Sequence, residues 1–223
     1  MAVYNPLAEK AYEYMLEKIN NKEFQANVYY SETMLAKEIG VSRTPMRDAL
    51  MRLSQDRYID IVPSKGFMLH VMSEEDIQNT YQIRVAIEAF CCVLLHRQRK
   101  TKAGRRTIED IRETTDLMKQ AIEDKKSYDE ILSHDFAFHK QIVEFSGNTD
   151  MIRLIDSYSH MQHDIAFKSF EQEGRPLAAY EEHMNIFHEL ISDSEDADVR
   201  IYAAVHHHME SSRDIALKQY GLI

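Results

Sequence analysis

The stretch SETMLAKEIGVSRTPMRDALMRLSQDRYIDIVPSKGFML, residues 31–69, decides the fold of the first third of the chain. It opens on Ser31 and Glu32, carries the apolar pair Leu35-Ala36 and stops at Gly40. That pattern predicts a short helix. The Ser31 hydroxyl can cap a free amide at its start, and glycine takes the left-handed conformation past a helix end at no steric cost. Ser42 can cap a further helix to about Gln55, with Pro45 in the first turn, where no amide donor is needed. Met46, Leu50 and Leu53 recur on one face of it and are expected to pack on Leu35, Ala36 and Ile39. Two extended runs follow, residues 58–62 and 67–71, separated by Pro63-Ser64-Lys65-Gly66. They predict a hairpin with a basic, glycine-containing tip. Two helices joined through a glycine turn and followed by such a hairpin make a winged helix-turn-helix.

Arg43 and Arg47 stand four residues apart, on one face of the second of these helices. The start of a recognition helix is the part that enters the major groove of DNA. There an arginine can bond a guanine edge through two parallel contacts, and Ser42 and Thr44 can take phosphate. Lys65 and Gly66 at the hairpin tip can reach a phosphate or the minor groove. Arg43, Arg47 and Arg52 taken singly would be a solvated helix face. Taken with the caps, the apolar back and the wing, they point to DNA.

The net charge of −10 looks contrary to that reading, but its distribution is uneven. Residues 1–72 hold nine Lys/Arg and nine Asp/Glu, and the remainder holds 18 against 28, so the whole acidic excess lies in the second part. A neutral unit binds DNA if its bases cluster on one face. Only 6 Gly and 4 Pro occur, which favours helices. No run of about 20 apolar residues suggests a membrane span. The opening MAVYNPLAEKAYEY lacks a basic start followed by an apolar core, so no leader is expected. Cys91 and Cys92 are neighbours on a helix, diverge and cannot pair, which suits a reducing cytoplasm.

A helix is also expected over residues 5–21, with Leu7, Ala11, Tyr14, Met15 and Ile19 on its apolar side. From Ser73 onward the chain reads as helical throughout, near 74–99, 104–125, 127–147, 149–172, 176–193 and 196–220. Ser73 followed by Glu74-Glu75-Asp76 is a cap with acids in the first turn. The expected class is therefore mainly α. A winged helix-turn-helix spans residues 1–72, and an all-helical bundle spans 73–223.

Ten of the 11 histidines fall in the second part. Asp135 and His139 are four apart and present a carboxylate and an imidazole on one helical face. Further helices supply His183 and the triplet His206-His207-His208. The stripe Val205, Met209 and Ala216 selects His208 as the inward member, with His207 as the alternative. Asp135, His139, His183 and His208 form an N/O set suited to zinc first, and also to nickel, manganese or iron. Arg84 lies near an apolar face with Ile83, Ile87 and Phe90, and needs an acidic partner or an anionic ligand. It could clamp an effector carboxylate through two hydrogen bonds, or pair with Glu88 one turn on. His160 and His163 could line the same pocket or sit on the surface.

Residues 31–69 resemble the winged helix of the GntR transcription regulators. The marks are Leu35-Ala36, Gly40-Val41-Ser42-Arg43-Thr44-Pro45, Arg47, Ala49-Leu50 and Pro63-x-x-Gly66. The resemblance implies DNA contacts from Arg43, Thr44, Arg47 and Gly66. It departs at Thr33, where relatives often carry a DNA-touching arginine, and at Arg57, where they usually have glycine. The second part resembles the all-helical FCD-type effector domain of the FadR-like branch. Its marks are Tyr81-x-x-Arg84-x-x-x-Glu88, Asp135-x-x-x-His139, Ser146-Gly147-Asn148, Glu182-His183 and a late His-Met step. That resemblance implies a divalent metal held by an aspartate and three histidines, its shell completed by a small carboxylate effector. The expected protein is a cytoplasmic, homodimeric, operator-binding regulator, a repressor released by a metabolite bound near Arg84 and His163. A metal-dependent enzyme on the helical part, or a direct metal sensor, are the alternatives. The first lacks a general base beside the ligands and any nucleophile motif.

Overall fold

Ten helices and one hairpin make up the computed structural model, which describes residues 5–223. Residues 1–4, the start of the MAVYNPLAEKAYEY opening, lie outside the described residues. The chain divides into two compact units, Met1–Met72 and Ser73–Ile223.

The first unit orders as α1 (Pro6–Asn20), α2 (Glu32–Glu38), α3 (Arg43–Gln55), β1 (Ile59–Val62) and β2 (Gly66–Leu69). Asn5 caps α1 through its side chain, and Pro6 follows in the first turn. Ala11 and Met15 are buried as expected, together with Ala8, whereas Leu7 is exposed rather than inward. Ser31 and Ser42 precede their helices in extended conformation, but neither side chain makes the expected capping bond. Gly40 adopts φ +71°, the left-handed turn expected of it. Arg57 adopts φ +62° at the exit from α3. Glycine reaches that conformation without steric cost, and here an arginine holds it.

Met46, Leu50 and Leu53 join Leu35 and Ala36 in one core, with Ile39 packed against it. Phe24, Tyr30 and Phe67 extend that core as an aromatic cluster, with ring centroids 4.6–5.8 Å apart. Two backbone bonds tie the wing to the segment before α2: Tyr30 N donates to Phe67 O at 2.8 Å, and Phe67 N to Tyr30 O at 3.1 Å. Losing the Phe67 ring from this fully buried place would cost on the order of 3–5 kcal/mol.

The second unit comprises α4 (Glu74–Gln98), α5 (Lys102–Glu123), α6 (Tyr128–Phe145), α7 (Thr149–Ser157), α8 (Ser159–Phe170), α9 (Arg175–Ile191) and α10 (Ala197–Gln219). Ser73 and Asp76 close a reciprocal capping box on α4. Two boundaries depart from expectation. Gly104 lies inside the first turn of α5, not in a break, and Thr101 is the cap. A Cβ there would stand 2.2 Å from Gln98 O, so glycine lets the α4–α5 turn close. The expected single helix over 149–172 is two helices, interrupted at Tyr158 (φ −99°, ψ 2°). No glycine or proline marks that interruption. α10 packs along α4, α9 and α8, while α6 packs against α4, α5 and α8. Asp135, His139, His183 and His208 are all buried in this bundle. Cys91 and Cys92 are buried free thiols. Among the described residues no helix is long and apolar enough to cross a membrane.

Candidate functional site: a basic helix and a buried histidine cluster

In the first unit, Ser42, Arg43, Thr44 and Arg47 are all exposed at the start of α3, opposite its buried Met46, Ala49 and Leu50. The structure separates the three arginines of this helix. Arg52 is tied down: Nη1 meets Glu9 at 2.7 Å, and its guanidinium lies 4.2 Å from the Tyr12 ring centroid. Arg43 and Arg47 have no ion pair or hydrogen bond among the described residues, so their donors are free for a ligand. At the wing, Lys65 is exposed and its Nζ lies 4.7 Å from the Tyr29 ring centroid. Gly66 has a packing duty that the sequence did not disclose. At φ +107° a Cβ would stand 2.1 Å from Tyr30 O, against the segment to which the wing is bonded.

In the second unit, α6, α9 and α10 each deliver one imidazole to a common point. The Nε2 atoms of His139, His183 and His208 are 3.2–3.3 Å apart pairwise. Asp135, one turn before His139, places Oδ1 3.4 Å from Nε2 of His183 and Oδ2 3.9 Å from Nε2 of His139. His208 is the inward member of its triplet. His207 is exposed, and His206 stacks on Tyr202 and meets Glu210 at 3.2 Å. His163 is not brought to the cluster. Its side chain is 46% exposed, lies 3.6 Å from Asp129 and 3.7 Å from Asp164, and stacks on Phe136. His160 meets Asp164 on the same helix.

Two carboxylates whose contacts with the histidines spacing did not disclose, Glu88 and Glu182, stand behind two of the rings. Nδ1–H of His139 donates to Glu88 Oε2 at 2.6 Å, and Nδ1–H of His208 donates to Glu182 Oε2 at 2.6 Å. Each bond fixes its ring's rotation and turns Nε2 toward the cluster. Burial, reinforced by His208, His139, Arg175 and Arg84, pushes His183 well below the ordinary histidine value. Burial also lowers His208, although Glu182 opposes it. Three buried imidazole nitrogens thus converge on one point, with the Asp135 carboxylate beside them. A regular tetrahedron of zinc–nitrogen bonds, about 2.0–2.1 Å each, has an edge of about 3.3 Å. The donor set and its spacing fit a divalent metal.

Arg84 is 4% exposed and has two faces. Its Nε donates to Glu88 at 2.8 Å, which is the intrahelical pair, while its Nη2 is buried without a hydrogen-bond partner. Burial works against the charge on Glu88, but Arg84 and His139 outweigh it and hold that carboxyl at about 2.

Residues 7–69 match the family described as bacterial regulatory proteins, GntR family, and residues 79–211 match the FCD domain. The Bacillus subtilis HTH-type transcriptional regulator YdhC is 25% identical over 186 residues, covering 83% of this chain and 81% of that protein. The Escherichia coli HTH-type transcriptional repressor RspR is 24% identical over 185 residues, covering 83% of this chain and 78% of its own length. Among solved structures, E. coli McbR/YncC superposes with a TM-score of 0.66 at 16% identity, covering 96% of this chain and 98% of that one. At that identity the likeness speaks to the fold.

Proposed function

The chain belongs to the GntR family of bacterial regulatory proteins and carries an FCD domain, and from that premise we propose that it is a metabolite-controlled repressor whose helical unit holds a divalent metal. That it is a DNA-binding transcription regulator and not an enzyme follows from the families and relatives it matches. The reading assigns Ser42, Arg43, Thr44, Arg47 and the wing at Lys65-Gly66 to operator DNA. Asp135, His139, His183 and His208 would hold the metal, zinc first among the candidates. When bound, the metal would supply positive charge and open coordination positions for an anion. The free Nη2 of Arg84 is the observation that carries the effector assignment. A buried guanidinium donor without a partner is costly, and a carboxylate would satisfy it. Arg84 also adds to the lowering of His183, so its charge is felt at the cluster. The effector class is therefore a small carboxylate. The assembly is a cytoplasmic homodimer, because a symmetric dimer reads a palindromic operator with two recognition helices. Repression is supported by the likeness to RspR.

A panel of small carboxylic acids tests the effector class by thermal unfolding of the zinc-loaded protein. A true effector present at 100 times its Kd raises stability by about 2.7 kcal/mol. The rise should vanish in Arg84→Met. If no acid shifts the transition, or if Arg84→Met responds like the wild type, the carboxylate assignment fails.

A further inference from the structure

Behind the histidine cluster lie two assemblies built alike on different helices, one fully buried and one whose Glu182 is partly buried. In the first, Arg84 Nε donates to Glu88 Oε1 at 2.8 Å, and Glu88 Oε2 accepts from His139 Nδ1 at 2.6 Å. In the second, Arg175 grips Glu182 with Nη1 and Nη2 at 2.8 and 2.9 Å, and Glu182 Oε2 accepts from His208 Nδ1 at 2.6 Å. Arg175 is held in turn by its bond to Ser212 Oγ at 2.7 Å. Glu88, Arg84 and Arg175 are each at most 4% exposed. The third histidine differs. Nδ1 of His183 is buried without a hydrogen bond, and its ring lies flat on Phe138, centroids 4.2 Å apart with a 9° interplanar angle.

A buried ion pair is a poor device for stability alone, because an apolar pair of similar volume is often as stable or more so. Here both pairs end on rings of the same cluster. A carboxylate that accepts from Nδ1–H keeps the proton on that nitrogen, fixes the ring's rotation and strengthens Nε2 as a donor to metal. We infer that Glu88 and Glu182, each locked by its arginine, are positioning residues. They set the orientation and tautomer of His139 and His208, whereas His183 is positioned by packing on Phe138. Cation affinity then depends on two carboxylates outside the ligand set. The inference rests on the metal reading of the cluster.

The test uses the full chain, stripped with a chelator and titrated with cobalt(II), the visible absorption band reporting the site. Zinc is measured by competition with a chromophoric chelator. Glu88→Gln and Glu182→Gln should each weaken binding about 10- to 100-fold and alter the cobalt spectrum. Variants that bind as tightly as the wild type overturn the inference. A wild type that binds neither metal sinks the metal reading itself. Ring nitrogen–proton correlation spectra of the metal-free wild type, taken above about pH 8 where free imidazole is neutral, give a readout independent of metal and of variant folding. His139 and His208 should both carry the proton on Nδ1. Finding it on Nε2 in either ring overturns the inference even where a variant fails to fold.

Discussion

Arg47→Ala should abolish specific operator binding while leaving the protein folded. Its side chain is exposed and has no ion pair or hydrogen bond among the described residues, so nothing in the first unit depends on it. One bidentate arginine–guanine contact contributes about 1–3 kcal/mol of discrimination. The proposed dimer would lose two of them, which corresponds to roughly a thirty-fold to twenty-thousand-fold loss of specific affinity. Weak binding to unrelated DNA should persist, because it rests on phosphate contacts. Arg52→Ala is the matched control. It removes the contacts to Glu9 and Tyr12, and should lower stability slightly while sparing sequence discrimination. Fluorescence anisotropy against operator and scrambled duplexes separates the two effects. Unchanged discrimination in Arg47→Ala would remove this residue from the DNA face.

His183→Ala should eliminate the zinc-dependent rise in melting temperature. His183 is fully buried, and its Nε2 meets those of both other histidines, so its loss opens one side of the cluster. The drop in metal affinity should exceed the ~10–100-fold typical of losing a partner outside the ligand set. Truncation also removes the stack on Phe138 and leaves a cavity, so the metal-free variant should itself melt lower, by an amount on the order of 2 kcal/mol or more. The comparison that matters is therefore the increment on adding zinc, within each protein. A thousandfold excess over Kd contributes about 4 kcal/mol in the wild type, and the variant should show almost none of it. An increment equal to that of the wild type would place the metal elsewhere.

The contrast between these two sites shows what a sequence discloses. The exposed basic face of α3 was legible because it is local. Gly40, Pro45, Arg43 and Arg47 lie within eight residues, and helical spacing alone sorts them from the apolar Met46 and Leu50. The inward choice of His208 over His207 was legible for the same reason, from the stripe of Val205 and Met209. Glu88 as the partner of His139 was not, since 51 residues and a choice of helix packing separate them. Periodicity says which face a residue occupies, not which neighbouring helix meets that face. Glu182 escaped likewise. It sits beside His183 in sequence, but its contact is with His208 on the next helix. Arg84 was visible both as a partner of Glu88 at a spacing of four and as a clamp for a carboxylate, but the orphaned Nη2 that lets it serve both roles needed the packed bundle. The interruption at Tyr158 left no glycine or proline to signal it, and Gly104, read as a break, turned out to serve close packing inside a helix.

We propose that an anion bound at Arg84, beside the histidine cluster, sets how tightly the basic helix α3 holds DNA. Operator affinity of the zinc-loaded protein, measured with and without an acid that raises its melting temperature, tests this most directly. Coupling free energies between ligand sites are typically about 1–3 kcal/mol. The acid should therefore weaken operator binding by about five- to 150-fold, and Arg84→Met should bind the operator equally well with or without it. An operator affinity that stays the same when the wild type is saturated with such an acid would contradict the claim.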